Sequence, residues 1–146
     1  MSVHYITDAN GNRVAFNAGG NLANVEVITA DKTLTVEDSG KTFLVATDAL
    51  TITVPSTAMG LNYKFINSGA AANNIITISP AAADGIAGTI TLAASVVVLD
   101  GTIDKDVINT KASSESGDSI SILGTGTAGV TAWLVTGSTG IWAQEA

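Results

Sequence analysis

Apolar and polar residues alternate in short runs through residues 33–67, TLTVEDSGKTFLVATDALTITVPSTAMGLNYKFIN. Turn chemistry closes each run: Asp38-Ser39-Gly40, Thr47-Asp48-Ala49, then residues 55–60. Leu50, Ile52 and Val54 point one way, Thr51 and Thr53 the other. Leu61, Tyr63 and Phe65 likewise share a face against Asn62 and Lys64. Period-two alternation of this kind predicts half-buried strands of an antiparallel sheet. Residues 41–46 differ, because Phe43 and Val45 face one way while Leu44 and Ala46 face the other. A strand apolar on both sides belongs at the centre of a sheet or at an interface.

Residues 3–17 predict a hairpin. Asn10-Gly11 is the preferred pair for a two-residue type I′ turn, in which both central residues have positive φ. That turn sets Asp8 opposite Arg13, Ile6 opposite Ala15 and Tyr5 opposite Phe16, so Val3, Tyr5, Val14 and Phe16 share one face. A lone hairpin is marginal in water, so this apolar face must rest on something. Ala18-Gly19-Gly20-Asn21 follows and reads as a hinge. Two arrangements stay open at this point. The hairpin is an arm docking on a partner, with Val3, Tyr5, Val14 and Phe16 as the contacts, or it folds back on its own domain.

Further strands are expected at residues 25–29, 33–37, 74–79, 89–92, 95–100, 106–111, 119–123, 130–136 and 141–144. Within them, Val96-Val97-Val98-Leu99 is expected to be buried on both faces. No segment carries helical periodicity over ten or more residues. The expected fold is all-β: an antiparallel β-sandwich of jelly-roll or Greek-key type with an N-terminal β-hairpin arm. Residues 1–20 form the arm and hinge, and 21–146 the sandwich domain.

Composition narrows the function classes. Charged residues are 13% of the 146, hydrophobic ones 46%, and the net charge is −7. No cluster of Lys or Arg offers phosphate neutralisation, so nucleic acid is not an expected partner. The longest unbroken apolar runs, residues 96–99 among them, are far short of the roughly 18–20 residues a membrane-spanning helix needs, and no membrane partner is expected. The chain has no cysteine, which removes disulfides and thiolate metal sites. Its beginning, MSVHYITDANG, lacks the basic and apolar regions of a Sec-type signal peptide.

The motifs that tempt a chemical reading each have a plainer one. Residues 124–129, GTGTAG, match G-x-G-x-x-G after a predicted strand, but dinucleotide binding needs a helix to follow, and residues 130–135 are strand-like. The reading is a hairpin loop. Asp100, Asp104 and Asp106, and Asp8 with Asn10 and Asn12, resemble calcium ligands but read as turn residues. His4 is the single histidine, so a Ser-His-Asp triad would have to be assembled around it without a nucleophile elbow. Glu37, Asp38, Asp104 and Asp106 are the carboxylates that can converge as in a glycosidase. No catalytic, cofactor or metal residue is assigned. Trp133 and Trp142 read as core rather than as interface anchors.

Two stretches together carry a resemblance. One is residues 33–67, with its GKTF and its TVP…GLNYKF; the other is residues 117–144, with GDSI followed by W-L-V-T-G-S-T-G-I-W. In these the chain resembles the small all-β structural proteins of tailed bacteriophages: head decoration (cement) proteins and related jelly-roll modules of virion appendages. The resemblance implies a homotrimer on the outer surface of the capsid that clamps adjacent major capsid proteins. It carries no fixed site residues. The alternative it leaves open is a tail-fibre or spike module binding host surface carbohydrate.

Overall fold

A computed structural model describes residues 3–7, 9–11, 13–17, 24–92 and 94–146. Strands β1 (Val3–Thr7) and β2 (Arg13–Asn17) form a two-stranded antiparallel ribbon. From β3 (Val25–Ile28) the chain alternates between two sheets. Strands β3, β5 (Thr42–Val45) and β7 (Asn62–Asn67) lie side by side in one; β4 (Lys32–Thr33), β6 (Leu50–Thr53) and β8 (Ile76–Ser79) lie in the other. Each is parallel to its neighbour two strands earlier. The chain thus winds through three solenoid-like coils, one rung in each sheet.

Later strands extend the stack in the reverse direction. Strand β11 (Val107–Asn109) runs antiparallel to β8, and β12 (Ser119–Gly124) antiparallel to β7. Strands β13 (Gly129–Thr139) and β14 (Trp142–Gln144) then pair antiparallel with β12 and β11. The hairpin of β9 (Asp84–Leu92) and β10 (Ser95–Asp100) completes the first sheet through a parallel β9–β13 contact. The orders are β10-β9-β13-β12-β7-β5-β3 and β14-β11-β8-β6-β4.

The all-β sandwich expected from the alternation is therefore present, with its sheets mixed rather than antiparallel. Alternation reports which face of a strand is buried, and says nothing of the direction of its partner. A connection that crosses to the other sheet after every strand returns in the same direction, which is how short loops here join parallel neighbours.

Between the sheets lies one continuous apolar core that includes Phe43, Ile52, Phe65, Ile76, Ile78, Trp133 and Trp142, none more than 1% exposed. Phe43 stacks on Phe65 at 5.7 Å, and Tyr63 meets Trp133 at 5.6 Å. Both tryptophans are core, as the sequence suggests. Strand β5 is buried on one face and half-buried on the other, one place in from the sheet edge.

Two elements depart from expectation. Residues 33–37 are not a strand: β4 ends at Thr33 and Val36–Asp38 forms a 3-10 turn. Asp38 causes this, its Oδ2 accepting the amide of Thr35 at 3.0 Å and its hydroxyl at 3.3 Å. Such a local acceptor offers the backbone an alternative to the sheet ladder. The second departure is β10, where Val96 and Val98 are exposed rather than buried on both faces. It is an edge strand, and periodicity in an unbroken apolar run cannot reveal that.

Candidate functional site

Among the described residues, every exposed large apolar side chain that lies on a strand belongs to the seven-stranded sheet. They are Val25 and Val27 on β3, Leu92 on β9, Val96 and Val98 on β10, Leu123 on β12, and Val130 and Leu134 on β13. Leu123 and Leu134 are cross-strand partners. The five-stranded sheet exposes none; its paired Thr51–Thr77 and Thr53–Ser79 positions are half-buried. The sandwich is one-sided.

The two edges of the larger sheet differ in charge. At β3, Glu26 pairs in register with the buried Phe43 and is held by Lys32 and, at 3.1 Å, by Lys41. Lys41 also bridges Asp38 at 2.6 Å, and Lys32 lies 5.6 Å from the Phe43 ring centroid. The bond from Lys32, aided by Lys41, holds the Glu26 carboxyl below the usual range. Burial pushes Asp38 up, but the Lys41 bond and the Thr35 amide outweigh it and leave it lowered. Charges placed like this discourage pairing with a foreign strand. At β10, residues Ser95 to Leu99 carry no charge, and Val96 and Val98 are 73% and 69% exposed.

Several carboxylates hold loops. Asp84, 1% exposed, accepts the amide of Thr57 at 2.8 Å. Asp100 accepts the Thr102 amide and hydroxyl and the Gln144 side chain, and these bonds lower its carboxyl. Asp106 goes the other way, raised by burial and then by the charges of Glu145 and Asp104. A buried chain of amides joins Asn74 to Asn67 (3.2 Å), Asn67 to Asn109 (3.1 Å) and Asn109 to Asp118 (2.9 Å). Gly140 is required beside it, since its φ is +81° and a Cβ would lie 2.0 Å from Asp118 Oδ1.

Among the described residues, no three His, Asp or Glu side chains gather as a metal site. Asp38 is tied to Lys41 and the 3-10 turn while Asp106 neighbours Glu145 and Asp104, so the glycosidase-like carboxylates occupy separate surroundings. Two open grooves mark the larger sheet. One, of about 240 Å³, runs past Thr89, Val96 and Val135; the other, of about 310 Å³, past Thr42, Asn62 and Lys64. Neither has a described carboxylate or histidine in its lining. Residues 125–128 form the loop between paired strands β12 and β13, whose ends are Gly124 and Gly129, with no helix to receive a pyrophosphate.

The hairpin exists, with a different register. Tyr5 pairs with Ala15, His4 with Phe16 and Thr7 with Arg13, one residue away from the two-residue-turn arrangement. Gly11 has φ +81° while Asn10 is not among the positive-φ residues, whereas a type I′ turn centred on Asn10-Gly11 needs positive φ at both. A one-residue slip exchanges faces. Val3 and Tyr5 are therefore in register with Asn17 and Ala15, and the expected facing of Tyr5 with Phe16 does not occur. Side-chain surroundings of Val3, Tyr5, Val14 and Phe16, and the hinge at 18–21, lie outside the described residues.

Sequence reading missed the open β10 edge. The available signal was a strand whose β-branched run contains neither charge nor proline, the usual devices that protect an edge. Comparison with known protein families and with curated proteins gives no match.

Proposed function

We propose that this chain is a non-enzymatic decoration protein that binds the outer surface of a tailed-phage head and stabilises it by bridging major capsid proteins. The observation that supports this best is the one-sided sandwich, whose exposed strand valines and leucines all belong to one sheet. A surface of that kind suits a protein laid against a larger body. The acidic charge of −7 suits the outside of a DNA-filled shell rather than its inside. Repetition over a symmetric lattice lets weak contacts add through effective concentration. The resemblance implies three copies at a three-fold position.

The competing reading, a tail-fibre or spike module, draws on the groove past Thr42, Asn62 and Lys64, whose hydroxyl, amide and ammonium groups suit a sugar. No aromatic is among the exposed large apolar residues, so a stacking platform is missing from the described surface. One experiment separates the two. Purified protein is incubated with expanded, undecorated heads and, in parallel, with host cells. Saturable binding to heads with a raised disruption temperature is expected; binding to cells alone would overturn the assignment.

A further inference from the structure

The β10 edge carries an inference that does not depend on the head. Leu92 and Ser95 are cross-strand partners with only two residues between them, and the ladder continues as Val97↔Ile90 and Leu99↔Gly88. In a hairpin closed this tightly, the partners flanking the turn exchange both backbone bonds, and bonded pairs then alternate along the ladder. Ser95, Val97 and Leu99 thus bond to β9, while the amides and carbonyls of Val96 and Val98 point to the open edge. These are the same two residues whose side chains stand 73% and 69% exposed.

We infer that β10 pairs antiparallel with β10 of a second copy of this chain, centred on Val97. That register sets Val96 of each copy opposite Val98 of the other, so the exposed valines cover one another. It also brings the four outward-pointing backbone groups of each copy into hydrogen-bonded pairs. Sheet faces match across the two-fold axis only when even-numbered residues oppose even ones. The centring on Val97 meets that condition and keeps Asp100 beyond the paired valines. A chain of net charge −7 repels its own copy, and an edge with no charge from Ser95 to Leu99 is where that repulsion is weakest. The β3 edge, with Glu26, Lys32 and Lys41, offers no such match. Antiparallel pairing closes at two copies, so it links two molecules whatever further assembly each belongs to.

One six-residue strand buries far less than the roughly 1,200–2,000 Å² of a standard interface, so the free proteins associate at about 0.1–1 mM. The test uses single cysteines in a chain that has none. Opposed residues that are not hydrogen-bonded have Cα atoms about 4.5 Å apart, within disulfide range, whereas residue 98 is offset from its own copy. With oxidised glutathione as oxidant, full-length Val97→Cys should cross-link to itself and Val98→Cys should not. Sedimentation of the cysteine-free protein should show association weakened at least about tenfold by Val98→Lys and unaffected by Val27→Lys at the other edge. Equal cross-linking of Val98→Cys, no cross-linking of Val97→Cys at about 0.5 mM, or equal sensitivity to both lysines would overturn the pairing. None of these readouts involves heads, so the decoration reading stands or falls separately.

Discussion

The phenol of Tyr63 sits beneath the 3-10 turn and is 1% exposed. Its hydroxyl donates to the carbonyl of Thr35 at 2.8 Å. Burial, then the charges of Asp38 and Glu37, push its pKa up to about 12. The sign follows directly. With a folded value above the unfolded one, the protonated phenol contributes stability that is fully present below about pH 10 and is lost as pH rises through about 12. Absorbance titration of a Tyr5→Phe variant isolates this residue from the other tyrosine. Phenolate should stay absent until pH nears 12, or should appear together with unfolding. Ionisation near pH 10 with the fold intact would contradict the buried placement. The inward phase of Tyr63 is legible in the alternation of residues 61–67; its hydroxyl partner is not, because Thr35 belongs to a turn produced by Asp38. Asn67 and Asn109 show the same division. Each occupies the inward phase of its strand, yet only the folded stack reveals that they bond to each other.

At the scale of elements, the coils are joined by a repeated corner. Asp31 accepts the amide of Thr51 at 2.9 Å, and Asp48, one coil later, accepts the amide of Ile75 at 2.9 Å. Each carboxylate lies where the chain changes sheets and fixes the start of the next strand in the stack. Asp48 is also bound by Lys111, and that bond, followed by the Ile75 amide, lowers its carboxyl. Asp31→Ala and Asp48→Ala should each lower Tm by a few degrees, because each leaves a strand-initiating amide without its acceptor. Asp48→Asn, which keeps an acceptor oxygen, should lose less. Thermal denaturation of the three variants checks this, and equal losses from Asp48→Ala and Asp48→Asn would mean that the ion pair with Lys111 matters more than the corner bond. Strand positions at these corners are readable from alternation and turn residues. Parallel stacking is not, since it depends on each loop crossing the core. The edge position of β10 is hidden for the same reason: Val96 to Leu99 look like a buried strand until the sheet order leaves one side open.

For the molecule as a whole, charge sets the pH range of the fold. Glu26, Asp38, Asp48 and Asp100 all have folded pKa values below their usual ones, through lysine bonds or backbone and side-chain donors. Groups of this sign contribute stability above their unfolded values near pH 4, and that stability is lost as pH falls through the folded values. Asp106, raised by burial, opposes them, since its ionised form is disfavoured in the folded state. Four against one makes the fold acid-labile below about pH 4. Above that, lowering the pH from 7 relieves the self-repulsion of the −7 charge as the isoelectric point near 4.3 is approached. The two effects place the stability maximum near about pH 5. A Tm series from pH 3 to 8 at low ionic strength should rise modestly from about pH 7 to 5 and fall steeply below about 4. Added salt should flatten the rise, which comes from exposed charge, more than the fall, which comes from bonded carboxylates. A Tm that continued to climb below pH 4 would show that the lysine and backbone bonds to these carboxylates do not hold in solution. The same titration bears on association. If β10 edges pair where repulsion is least, sedimentation of the cysteine-free protein should show association strengthening as pH falls from 7 toward about 5, and Val98→Lys should abolish that gain.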